Sequence, residues 1–120
     1  AHNAILKKDI QLWGDGSELR EFIFVDDLAF LCVEILKNNI SGTLNTISGQ
    51  RFSYIEVIQI IEKFLGCRLK IKNKKRTKEK VDHQYSNTFH LKILPNFSYT
   101  NIHQGLENLL NEFQEKNNEN

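Results

Sequence analysis

Arg20 is the residue in this 120-residue chain whose type points most directly to ligand chemistry. A guanidinium is a permanently charged planar fork that can engage two oxygens of a phosphate or carboxylate at once. Trp13 offers a flat apolar surface against which a base can pack. Together they suit a ligand that carries a diphosphate and a flat base. Each also has an ordinary alternative: Arg20 as an ion pair with a carboxylate such as Asp26, Trp13 as core or interdomain packing. Ser48 and Gln50 belong to a Ser-Gly-Gln turn, where substrate contacts and plain turn chemistry both account for polar residues. Lys70, Lys72, Lys74, Lys75, Arg76, Lys78 and Lys80 crowd positive charge into one stretch with Glu79 as its single acid. Such a run could hold phosphate oxygens. It has no interleaved aromatics on which bases could stack, so it reads as a solvated face rather than a nucleic-acid surface.

Other chemistries are not supported. Asp26 and Asp27 precede an apolar helical pattern, which reads as a helix cap and a solvated neighbour rather than an acid/base pair. Gly14-Asp15-Gly16 is not a dinucleotide fingerprint, because the third glycine would fall at Leu19. His83, His90 and His103 have no metal-ligand spacing, and no metal site is expected. Cys32 and Cys67 lack any C-x-x-C pattern and sit in apolar contexts, as free thiols of a reducing cytoplasm would. With a net charge of +1 and no apolar run of roughly 18 to 20 residues, neither a membrane nor a nucleic acid is an expected partner. A cytoplasmic protein is expected.

The elements that must position these residues follow from local patterns. Asp9 to Trp13 and Glu21 to Val25 read as two short strands joined by the Gly14–Ser17 turn. Leu28, Leu31, Cys32, Ile35 and Leu36 recur at helical spacing up to Asn38-Asn39, and a strand is expected near Thr43 to Ile47. Ser53 with Glu56 forms a capping box that opens a helix with Ile55, Ile58, Ile61, Phe64 and Leu65 on one face, closed by Gly66. Leu69 and Ile71 alternate with lysines as in a half-exposed strand, and Asn73 to Lys80 reads as a loop. Thr100 is placed to cap a last helix through Ile102, Leu106, Leu109, Leu110 and Phe113. Residues 1–113 form one domain by this reading and 114–120 a polar tail. The order predicts mixed α/β layers whose apolar content exceeds what the short strands can cover.

The segments Trp13-Gly14-Asp15-Gly16, Arg20-Glu21-Phe22 and Val25-Asp26-Asp27-Leu28-Ala29 resemble a block of the extended short-chain dehydrogenase/reductases, the family of NAD-dependent nucleotide-sugar epimerases, dehydratases and reductases. Gly42-Thr43-Leu44-Asn45-Thr46-Ile47-Ser48-Gly49 is similar to the strand and turn that follow in the family. The segments Ser86 to Leu94, Pro95-Asn96-Phe97 and Ile102 to Leu106 look like its closing stretch. The resemblance implies a small mixed α/β substrate-binding lobe that lacks most of the Rossmann sheet. It also implies that Arg20 contacts a sugar-nucleotide diphosphate, that Trp13 lines the nucleotide pocket, and that Ser48 and Gln50 lie where substrate contacts are placed. A second cation is implied shortly before Asp82; the position three before it is Glu79, which leaves Lys78, Lys80 or Arg76, and Lys80 enters the candidate set.

What the chain lacks shapes the functional expectation. The catalytic pattern implied by the resemblance is Tyr-x-x-x-Lys, yet four positions beyond Tyr54, Tyr85 and Tyr99 stand Ile58, Phe89 and His103. No catalytic residue is therefore assigned. The Gly-rich unit that would hold NAD or NADP is also missing, and a chain without any Met suggests a piece of a longer protein. The expectation is a lobe that binds the sugar nucleotide, is inactive alone, and leaves NAD(P) to a nucleotide-binding domain not present here. The surface meant for that domain would then favour self-association. A non-enzymatic binding or assembly module with the same fold is the alternative.

Overall fold

A computed structural model of the chain describes residues 2–6, 8–83, 85–86 and 92–118. Among the described residues the elements run in the order α1 (His2–Ile5), β1 (Ile10–Trp13), β2 (Leu19–Glu21), α2 (Val25–Lys37), β3 (Arg51–Ser53), α3 (Tyr54–Leu65), β4 (Ile71–Lys74) and α4 (Ile102–Asn118). This is the small mixed α/β architecture expected from the patterns. His90 and much of the Ser86 to Leu94 segment lie outside the described residues.

The two strands flanking the Gly14–Ser17 turn do not pair with each other. β1 runs parallel to β4, with Ile10 opposite Ile71 and Trp13 opposite Lys74, while β2 runs antiparallel to β3, with Leu19 opposite Ser53 and Glu21 opposite Arg51. A parallel pair requires a crossover of a dozen or more residues, and α3 lies within the connection from β1 to β4. The chain from 43 to 47 forms no strand, although Ile47 is buried; the pairing segment is Arg51–Ser53. The Ser41-Gly42 turn makes 43–47 the expected strand. The edge of β2, which pairs from Leu19 rather than from Glu21, selects 51–53 instead.

α3 is built as its sequence dictates. The Ser53 hydroxyl accepts from the Glu56 amide at 3.2 Å, and the Glu56 carboxylate accepts from the Ser53 amide at 2.7 Å. Gly66 ends the helix in the left-handed conformation, at φ 64°. The main apolar core lies where α1, α3 and α4 meet: Ala4, Ile61 and Leu110 are buried there, with Ile10, Phe64, Leu65, Leu69 and Leu106 packed around them.

The N-termini of α2 and α4 depart from expectation. α2 starts at Val25 after Phe24, whose side chain makes no capping bond, so neither Asp26 nor Asp27 caps it. Asp27 instead reaches across the fold, accepting from the Thr100 amide and hydroxyl at 2.7 Å each. Thr100 is thereby used up, and α4 is opened by its neighbours. The Asn101 carboxamide accepts from the His103 amide at 2.8 Å, and the Gln50 carboxamide oxygen accepts from the Ile102 amide at 3.0 Å. α4 continues past Gln114 to Asn118, where the sequence pattern placed a polar tail.

Leu110 is fully buried in the α1, α3 and α4 core. Leu110→Ala is expected to destabilise the chain by about 2 to 4 kcal/mol, read as a lowered urea midpoint with an unchanged slope.

Candidate anion and nucleotide site

The Gly14–Ser17 turn and the start of β2 bring the candidate cations together. Arg20 is held from three sides. Its Nη1 donates to the Leu19 carbonyl at 2.9 Å and to the Val81 carbonyl at 2.5 Å, and its guanidinium lies 6.0 Å from the centre of the Tyr54 ring. Its Nη2 faces the Glu18 carboxylate at 3.5 Å, not Asp26. The second oxygen of Glu18 is taken by Arg76 Nη1 at 2.5 Å, and Arg76 Nη2 also approaches Asp15 at 3.5 Å. Side-chain exposure is 23% for Arg20, 21% for Arg76 and 15% for Glu18, so the three charges form a half-buried triad. At this depth screening by solvent is weaker than for a surface pair.

The glycines of the turn explain how Arg76 fits. A Cβ on Gly14 would stand 2.5 Å from Arg76 Nη2 and 2.7 Å from its Nε, so the guanidinium lies directly against bare backbone. A Cβ on Gly16 would meet Leu12 Cδ1 at 2.8 Å and Ile55 Cγ1 at 2.9 Å. Both glycines also have positive φ, 74° and 76°. The turn is thus filled by protein side chains and leads into a strand, unlike a dinucleotide-binding turn, whose open glycine backbone leads into a helix.

Residues 81–83 form a strap against β2. The Asp82 carboxylate accepts from the Leu19 amide at 2.9 Å, and the His83 amide donates to the Leu19 carbonyl at 3.2 Å. That bond from Leu19 is the main reason the Asp82 carboxyl is held below its ordinary value; Lys80 and Arg20 add to it. Asp15 is lowered chiefly by the Ser17 amide and hydroxyl, with Arg76 contributing less.

The other sequence-derived candidates fall in different places. Trp13 is 57% exposed at the end of β1, beside the turn, with Lys74 Nζ 5.4 Å from its ring centre. Lys80 pairs with Asp82 at 3.4 Å. Ser48 donates to the Phe22 carbonyl at 2.7 Å and accepts from the Gln50 amide, while Gln50 donates to the Thr100 carbonyl at 2.9 Å as well as capping α4. The polar atoms of Ser48 and Gln50 therefore tie the turn after residue 47 to Phe22 and α4. The basic run is distributed along the fold rather than displayed as one patch: Lys70 and Lys72 face Asp9, Lys74 covers Trp13, and Arg76 enters the triad. Among the described residues no cluster of His, Cys, Asp and Glu could hold a metal ion, and no helix is long and apolar enough to cross a membrane.

Residues 1–47 match the NAD dependent epimerase/dehydratase family, a span that includes Trp13, Glu18 and Arg20. GDP-L-fucose synthase 1 of Arabidopsis thaliana is 39% identical over 61 residues, covering 49% of this chain and 19% of that protein. GDP-L-colitose synthase of Yersinia pseudotuberculosis is 32% identical over 62 residues, covering 50% of this chain and 20% of that protein. The chain spans about a fifth of the length of the curated relatives it matches. Among solved structures, UDP-glucuronic acid 4-epimerase from Bacillus cereus, in complex with UDP-glucuronic acid and NAD, superposes with a TM-score of 0.83 at 21% identity; the match covers 95% of this chain and 38% of that one. ADP-L-glycero-D-manno-heptose-6-epimerase of Helicobacter pylori gives 0.80 at 23% identity, covering 94% and 35%. The chain therefore has the fold of one lobe of these enzymes.

The carboxylates that stitch the fold set its pH dependence. Asp9, held low mainly by its bond from Lys72, joins Asp15 and Asp82 below the ordinary aspartate range, and Glu56 and Glu62 lie below the ordinary glutamate range, chiefly through bonds from the Ser53 and Leu69 amides. Depressed values mean stability that is fully present above the ordinary carboxylate range and lost as pH falls through the folded values. Tyr99, raised above the ordinary tyrosine range chiefly by burial and then by Asp27, gives the opposite sign: stability declines as pH rises beyond that range. The thermal midpoint is accordingly expected to be flat near neutrality, to fall below about pH 4, and to fall again in strong alkali, as a pH series of melting curves would record.

Proposed function

We propose that this chain is the sugar-nucleotide-facing lobe of an NAD(P)-dependent epimerase, dehydratase or reductase, contributing diphosphate and base contacts while the redox chemistry belongs to a nucleotide-binding half. The observation that carries the reading is the fixed guanidinium of Arg20. It lies in the segment that matches the family, and backbone carbonyls and a tyrosine ring hold it so that Nη2 faces a second arginine across a single carboxylate. A half-buried, preorganised arginine pair suits a diphosphate, whose oxygens accept the same two-pronged bonds as a carboxylate. Trp13, exposed at the neighbouring strand end, is the surface for the base. Arg76 takes the role of second cation better than Lys80, which pairs with Asp82 at the surface. Ser48 and Gln50 act by holding the turn and α4 in place.

The division of labour rests on the same residues. None of the three tyrosines is followed by Lys at the spacing that proton transfer in this family uses, and the glycine turn is packed with Arg76 and Ile55. By this reading NAD or NADP binds to the other half, and the chain alone has no turnover. α2 supplies the surface on which that half docks: Val25, Leu28, Cys32, Val33 and Leu36 fall on one helical face and are exposed, Leu36 to 76%.

In the enzyme that unites both halves, Arg20→Ala is expected to weaken sugar-nucleotide binding by about 1.5 to 3 kcal/mol, measured by calorimetry; unchanged affinity would assign Arg20 a purely structural part. The isolated chain is expected to bind a hydrophobic dye and self-associate through α2, and Val33→Glu with Leu36→Glu to abolish both in light scattering and fluorescence. A dye-silent monomer before substitution would contradict the docking role of that face.

A further inference from the structure

Glu18 is the feature of the triad that the proposed function does not require. A site for a diphosphate needs the two guanidinium groups, yet the structure places a carboxylate between them, with one oxygen on each. Each arginine also has contacts beyond Glu18. Arg20 is fixed by the Leu19 and Val81 carbonyls and the Tyr54 ring; Arg76 lies on the bare backbone of Gly14 and reaches Asp15. Glu18 stands in the turn just before β2 and makes its side-chain contacts to those two arginines. A carboxylate and a phosphate present the same oxygen fork to a guanidinium, so Glu18 occupies the anion position with an internal equivalent of the ligand.

We propose that Glu18 is a built-in competitor that must swing out for a diphosphate to bind between Arg20 and Arg76, and that it sets the affinity and selectivity of the site. This rests on the reading of the triad as a diphosphate site. With Glu18 in place its carboxylate already offsets one guanidinium charge, while Asp15 lies 3.5 Å from Arg76. Displacing Glu18 raises the local charge by one unit and frees a donor edge on each arginine, which a multiply charged diphosphate fills better than a single carboxylate or chloride. The displaced carboxylate returns to water, where it is well solvated, so the cost of displacement is the triad contact itself. Such a carboxylate discriminates against weak anions by making every ligand replace an existing pair.

The test uses inorganic pyrophosphate as the probe, titrated into the 120-residue chain by calorimetry at low ionic strength. Glu18→Gln keeps the shape and removes the charge; it is expected to bind pyrophosphate at least about tenfold tighter than the unaltered chain, the factor that 1.4 kcal/mol of released competition gives. The gain is expected to vanish in Glu18→Gln/Arg76→Gln and in Glu18→Gln/Arg20→Ala. Equal or weaker binding by Glu18→Gln, or a gain that survives loss of Arg76, would overturn the proposal. Glu18→Ala is the second variant: should neither Glu18 variant keep the native circular dichroism spectrum, Glu18 is a structural keystone and not a displaceable group, which also overturns it. The outcome is separable from the proposed function. Tighter pyrophosphate binding without an effect of Arg20→Ala on sugar nucleotides would remove that function and leave the competitor; the reverse pair of results would remove the competitor alone.

Discussion

The contact on which the arrangement turns is the Glu18 carboxylate between Arg20 and Arg76. Neither sheet of this lobe is self-sufficient, since each has two short strands, and a two-stranded pair is marginal in water without packing or cross-links. The triad ties the β2 edge to the stretch that follows β4, where the strap at 81–83 adds the bonds of Asp82 and His83 to Leu19. The Leu19 and Val81 carbonyls of the same segments fix the direction of the Arg20 guanidinium. Stability and the geometry of the candidate site are therefore built from one set of groups. Half-buried guanidinium groups of this kind need an anionic partner between them, supplied here by Glu18, because unpaired they would be left desolvated.

The sequence made the local parts of this fold legible. The capping box at Ser53 and Glu56, the terminating Gly66 and the apolar faces of α3 and α4 depend on residues a few positions apart, and they stand where their spacing put them. What escaped depends on distant partners. The strand expected at Thr43 to Ile47 follows the Ser41-Gly42 turn, whereas Arg51–Ser53 has the edge of β2 beside it, and nothing within a short window reveals that choice. Asp27 had the position of a helix-capping acid and the job of holding Thr100, 73 residues away. Once Thr100 was engaged there, the opening of α4 passed to Asn101 and to Gln50, a residue singled out for its polarity but not for this role.

The candidate site shows the same division. Arg20 and Trp13 stood out because their types suit a nucleotide diphosphate and because their motif resembles a known block; residues 1–47 match the family independently. Arg76 is one of seven cations in its stretch, and its contacts with Glu18 and Gly14 separate it from the lysines around it. Glu18 gave no signal in a sequence where acidic residues are common. The glycines at 14 and 16 did carry one, since two positions that exclude a side chain imply close packing on both, here by Arg76 and Ile55.

The central claim is that the ends of β1 and β2, with the Gly14 turn between them, form the face that meets a nucleoside diphosphate. Chemical-shift mapping of the labelled 120-residue chain with uridine and guanosine diphosphates tests it most directly, because the method detects weak binding residue by residue. The account predicts saturable shifts concentrated at the Trp13 indole, Gly14, Leu19 and the Arg20 and Arg76 side chains, with the outer face of α3 unmoved. Shifts centred elsewhere, or none at millimolar ligand, would contradict it.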